Sequence, residues 1–62
     1  MIIVMRAEAT QEQVDHVIAK VESLKLRPHV IVGTERTVVA LVGDERNAAD
    51  SGLDRLPGVA AV

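Results

Sequence analysis

Apolar positions along this chain come in blocks of different period, and the periods name the elements. Ile2, Ile3, Val4 and Met5 form a continuous, largely β-branched run closed by Arg6, which predicts a buried central strand rather than a helix. Val14, Val17, Ile18, Val21 and Leu24 then recur at i, i+3, i+4, i+7 and i+10, the spacing of one buried helical stripe. Glu12, Asp15, His16, Lys20 and Glu22 fall on the solvated side of that helix. Thr10, three residues before Gln13, supplies a capping box: the hydroxyl takes an orphan amide of the first turn and the Gln side chain reaches back.

Pro28 has no amide hydrogen and cannot continue the helix, so it stands at the start of the next element, as an edge strand permits. His29–Val32 and Thr37–Val42 read as two apolar strands. Gly33-Thr34-Glu35-Arg36 joins them, with the glycine available for a positive φ. Gly43 breaks the sheet, and Asp44 is a good N-cap for a second helix starting at Glu45 and Arg46. That helix is poor in sequence, is interrupted by Ser51 and Gly52, and extends only loosely to about Leu56. Pro57-Gly58 is a turn signal, and Val59–Val62 is a last short strand.

Strand, helix, strand, strand, helix, strand is the split βαβ pattern of ferredoxin-like α+β domains. With right-handed crossovers, it gives a four-stranded antiparallel sheet of order 4-1-3-2 with both helices on one face. Residues 1–62 form a single domain. The chain ends in the apolar Val59-Ala60-Ala61-Val62 without a polar tail, which reads as a cut within a longer protein.

The central hairpin is too apolar for so short a chain to cover on both sides. A turn centred on Thr34-Glu35 sets Val32 opposite Thr37, Ile31 opposite Val38, Val30 opposite Val39 and His29 opposite Ala40. Alternation then sorts Val30, Val32, Thr37, Val39 and Leu41 onto one face, the bulkier match for the helical stripe. His29, Ile31, Val38, Ala40 and Val42 fall on the other, which has no helix left to cover it. An exposed aliphatic patch of this kind marks an interaction surface. Burying four such side chains contributes roughly 1.5–3 kcal/mol each before ordering costs. The expectation is a face for self-association or docking.

Composition narrows the function. With 62 residues the chain buries only about 60% of its unfolded surface. It has no cysteine, so disulfides, thiolate zinc sites and cysteine nucleophiles are excluded, and oligomerisation or attachment to a larger body is the expected support. There is no Phe, Tyr or Trp, so the stacking platforms of single-strand nucleic-acid readers are missing. A net charge of −2 and a pI near 5.5 remove the electrostatic case for nucleic acid or an anionic membrane. No apolar run approaches the roughly 18 residues of a membrane span, and a cytoplasmic location is the expectation.

Candidate chemistry is sparse. His29 is the one titratable group assigned to the open hairpin face. It is either an edge-strand histidine with a solvated ring or a polar handle for a ligand or partner. His16 reads as a helix-surface residue beside Glu12 or Lys20; two histidines so placed make no metal site. Asp44 and Glu45 are explained as N-cap and first-turn acid. The Gly33 and Gly43 loops match neither a P-loop nor a dinucleotide fingerprint. No catalytic constellation appears, and the chain alone is not expected to be an enzyme or to hold a cofactor.

Taken together, MIIVM at the start, His29, G-T-E-R-T-V (Gly33 to Val38) and G-D-E-R (Gly43 to Arg46) resemble one regulatory domain. It is the N-terminal ferredoxin-like domain of the short-chain 3-deoxy-D-arabino-heptulosonate 7-phosphate (DAHP) synthases. The resemblance runs over essentially the whole chain and is weaker after Arg46. It implies a C-terminal (β/α)₈ barrel that condenses phosphoenolpyruvate with erythrose 4-phosphate, using a divalent metal, at the entry to the shikimate pathway. All catalytic and metal residues of that family lie in the barrel. The small domain is regulatory: copies from different subunits pair and trap tyrosine or phenylalanine between them. His29 matches the effector-site histidine. Two residues later, where the family's best-known example carries a small hydroxyl residue, this sequence has Ile31, which neither donates nor accepts a hydrogen bond. Domain pairing therefore carries over more directly than effector identity. Two other readings stay open at this point: a free-standing ferredoxin-like module binding a protein partner through its open sheet face, and an ACT-like amino-acid sensor attached to another enzyme.

Overall fold

A computed structural model of the chain describes every residue except Glu45, Asn47, Ala49 and Asp50. The described elements run β1 (Ile2–Met5), α1 (Gln11–Ser23), β2 (Arg27–Val32), β3 (Thr37–Val42), a 3-10 turn at Leu53–Arg55, and β4 (Val59–Ala61). The four strands form one antiparallel sheet of order β2-β3-β1-β4, the expected 4-1-3-2 order read from the other edge. β2 and β4 are thus the edge strands, and the proline inside β2 is tolerated there for that reason.

Helix α1 begins as its sequence requires. The Thr10 hydroxyl accepts from the Gln13 amide at 3.2 Å, and the Thr10 amide donates to Gln13 Oε1 at 3.0 Å. Val14, Val17 and Val21 are buried, with Ile18 and Leu24 packed against the core margin. The C-terminus closes with two reverse bonds: the Lys25 amide donates to the Glu22 carbonyl at 3.0 Å and the Leu26 amide to the Val21 carbonyl at 3.3 Å. This is a Schellman motif, with Lys25 in the left-handed conformation at φ 65. It turns the chain so that Leu26, 3% exposed, enters the core that contains Val21.

The core lies between α1 and one face of the sheet. Ile3, Met5, Val17, Val21 and Val39 are fully buried at its centre, and Val14, Leu26, Leu41, Ala48, Leu53 and Val59 surround them. A bulge on β4 separates the pairs Val4–Ala61 and Met5–Val59, which lets Val59 point inward beside Met5.

Three expectations need correction. The second helix, expected from Glu45 to about Leu56, includes four residues outside the described ones, Glu45, Asn47, Ala49 and Asp50. Its described end, Leu53–Arg55, is a single 3-10 turn, because Gly52 enters it at φ 77, a left-handed value that interrupts any α-helix. Gly33 does not take a positive φ. Glycine is needed there because a Cβ would sit 2.8 Å from the Arg36 carbonyl oxygen. Finally, Val30 and Val32, assigned to the helix-covered face, remain 38% and 79% exposed. The helix covers the base of the hairpin, where Val39 and Leu41 are buried, and the tip extends beyond it.

Candidate interaction surface

The sheet face turned away from α1 is built by register. The hairpin pairs His29 with Ala40, Ile31 with Val38 and Arg27 with Val42, as expected from the turn. β1 pairs Ile2 with Ala40 and Val4 with Val38, and β4 places Ala61 beside Val4. Side chains of paired residues share a face. The open face is therefore made of two rungs, Ile31–Val38–Val4–Ala61 and His29–Ala40–Ile2, with Arg27 and Val42 at one end. All five residues singled out from sequence, His29, Ile31, Val38, Ala40 and Val42, lie on it.

This face is largely uncovered. Ile31 is 50% exposed, Ile2 54% and Val42 56%, while Val38 and Ala40 are half-buried by their neighbours in the sheet. Ile2, Val4, Ala61 and Arg27 were missed by reading the hairpin alone. Alternation along β1, combined with the strand order, would have found Ile2 and Val4. His29 and Arg27, both exposed, are the open-face side chains that carry hydrogen-bond donors, so any polar ligand group settling there must address this end of β2. Neutral imidazole offers one donor and one acceptor, guanidinium donors only.

Other clusters lie elsewhere. His16 borders a cleft of about 290 Å³ with Thr10, Glu12, Gln13 and Pro57, on the helix and hence on the opposite side of the sheet from His29. A second cleft, of about 610 Å³, adjoins the 3-10 turn and both termini. Among the described residues no group of three or more His, Cys, Asp or Glu could hold a metal ion, and no helix is long and apolar enough to cross a membrane.

Asp44 forms a local clasp. Its Oδ1 accepts from the Arg46 amide at 3.0 Å, and its carboxylate takes the Arg46 guanidinium through Nε at 3.0 Å and Nη2 at 2.7 Å. The guanidinium first, and the amide second, hold the Asp44 carboxyl below its ordinary range. Its partner is 90% exposed, so the clasp shapes the loop after β3 and is no acid–base site.

Residues 1–62 match the family model described as the DAHP synthase ferredoxin-like domain. Over 62 residues the chain is 34% identical to a phospho-2-dehydro-3-deoxyheptonate aldolase of Thermotoga maritima, a match spanning all of this chain and 18% of the relative. A crystal structure of such an enzyme (DAHP synthase), also from Thermotoga maritima, superposes with a TM-score of 0.84 at 32% identity. It covers 97% of this chain and 18% of that one.

Proposed function

The chain belongs to the DAHP synthase ferredoxin-like domain family, and from that premise we propose that it is the regulatory, dimerising domain of a DAHP synthase, the enzyme that opens the shikimate pathway. It acts by pairing between subunits through the open sheet face, with an aromatic amino acid, tyrosine or phenylalanine, held where the copies meet. The observation that carries this reading is the uncovered aliphatic face with His29 on it, in a chain that matches this family from end to end. The exposed Ile2, Ile31 and Val42 supply the apolar surface that association removes from water, and His29 supplies a polar anchor. The chain spans 18% of its relative's length. The aldol-type condensation and its divalent metal belong in this reading to a (β/α)₈ barrel. The site of action is the cytoplasm.

The control is one of linkage. An effector stabilises the paired state only to the extent that it binds that state more tightly than the open one, and pairing raises effector affinity by the same factor. The Ile31 side chain fills space beside His29 and has no hydrogen-bonding group, so the affinity rests on His29, with Arg27 beyond it, and on apolar contact. Calorimetric titration with tyrosine and phenylalanine tests this: one of them binds, and His29→Ala weakens the response. Binding of neither ends the effector reading, and a response unchanged by His29→Ala removes His29 from the site.

A further inference from the structure

We propose that pairing through the open sheet face is switched by protons at His29, so that the copies join while its imidazole is neutral and separate when it is charged. This rests on the reading of the chain as a pairing domain and adds a regulation of that same surface.

The charge on the open face has one sign. Within the strands it carries two ionisable side chains, Arg27 and His29, and both are basic. They stand two residues apart on β2 and so share the face. Beside His29 the sheet offers Ala40 on β3 and Ile2 on β1, with Val38 and Val42 two positions away along β3. None of these holds a charge. Two residues before Val38, alternation puts Arg36 on the same side, where its carbonyl accepts from the Gly33 amide at 3.0 Å, and it too is a cation.

The carboxylates of the described residues lie elsewhere. Glu12, Asp15 and Glu22 belong to α1, on the other side of the sheet, and Glu8 lies on the approach to it. Glu35 is in the hairpin turn, Asp44 is engaged by Arg46, and Asp54 is on the 3-10 turn whose Leu53 enters the core. Met1 and Val62 border the cleft beside that turn.

Exposed to water, as His29 is in the single chain, an imidazole takes up a proton near about pH 6.5, and solvent screens it from a neighbouring guanidinium. Pairing removes that solvent. Whatever the rotation of one face on the other, the second copy brings the same side chains: aliphatic ones, another Arg27 and another His29. Arg27 lies at the end of the face, where a long side chain reaches water. The shorter His29, one rung further in, does not. An imidazolium there is buried without a carboxylate and beside like charges, which disfavours the charged form. Neutral imidazole avoids that cost and keeps one donor and one acceptor. The unpaired state therefore binds the protons, and by linkage acid separates the pair. Non-specific association would move the other way, because acidification brings the chain to its pI near 5.5 and loss of net charge promotes sticking.

Sedimentation equilibrium without added amino acid, at pH values from about 7.5 down to about 5.5, tests the switch. With one His29 in each copy, the association constant is expected to fall about a hundredfold over that range. His29→Gln, neutral throughout, is expected to leave the circular dichroism unchanged and to pair nearly equally across the range. His16→Gln, on the helix side, is expected to keep the full fall. A constant indifferent to pH in the unsubstituted chain overturns the switch and leaves pairing standing. A fall that persists in His29→Gln, or vanishes in His16→Gln, does the same. A chain monomeric at every pH overturns pairing and the switch together.

Discussion

Ile2 and Ile3 are neighbours in sequence and alike in chemistry, yet Ile3 is fully buried and Ile2 is 54% exposed. The sheet divides them. Ile3 pairs with Val39 on the side covered by α1, and Ile2 pairs with Ala40 on the side that faces outward. The same division runs along β3, where Val39 and Leu41 are buried and Val42 is not. One helix of 13 residues, about 20 Å long at 1.5 Å per residue, covers one face of the sheet and leaves the hairpin tip bare. The residue types on the two faces are nearly the same, so composition does not mark which face is core. What separates them is that α1 packs against one side and leaves the other open.

Truncation should expose that separation most sharply. Ile3→Ala removes a fully buried side chain between β3 and α1, and should cost about 2–5 kcal/mol. In a domain this small, whose core supplies no more than about 3–5 kcal/mol, that is enough to unfold much of the population at room temperature. Ile2→Ala should cost less than about 1 kcal/mol and leave the urea midpoint of the monomer nearly unchanged. Equal losses in urea melts of the two variants would mean that the faces are not distinct.

Much of this was legible beforehand. The Thr10–Gln13 box and the Val14, Val17, Val21 stripe are local patterns, and the hairpin register followed from centring the turn on Thr34-Glu35. All four of the expected pairs are present. What was not legible depends on distances between elements. The reach of α1 over the hairpin decides that Val30 and Val32 stay exposed, and no sequence period encodes it. Ile2, Val4 and Ala61 join the open face only once strand order and alternation are combined. The turn at Gly33 signalled glycine correctly but for close approach to Arg36 rather than for φ, since both demands select the same residue. The left-handed Lys25 gave no signal at all, because a Schellman motif ordinarily advertises itself with glycine.

That lysine offers a way to strengthen the covered side alone. At φ 65 its Cβ is crowded against the carbonyl that follows, a strain glycine does not have. Lys25→Gly should therefore stabilise the fold by about 0.5–1 kcal/mol, seen as a higher urea midpoint. The gain should appear equally in dilute and concentrated samples, because the Schellman turn seats Leu26 in the core and lies away from the open face. A gain that grew with concentration would mean that the C-terminus of α1 takes part in association.

The smallest expected effect concerns Asp44, which belongs to neither face. Its carboxyl is held below its ordinary value, chiefly by the Arg46 guanidinium and secondarily by the Arg46 amide. A depressed folded-state value means that the charged form is favoured by folding. The contribution is therefore fully present above the unfolded carboxyl value, near 3.8, and is lost as pH falls through the lower folded value. Being solvent-exposed, the clasp is screened and its worth is slight. Asp44→Asn should lower the urea midpoint a little at neutral pH, with the gap to the unsubstituted chain closing in strong acid and narrowing in high salt. Because the clasp fixes only the loop leaving β3, this change should leave self-association untouched, whereas a parallel loss of association would tie that loop to the open face.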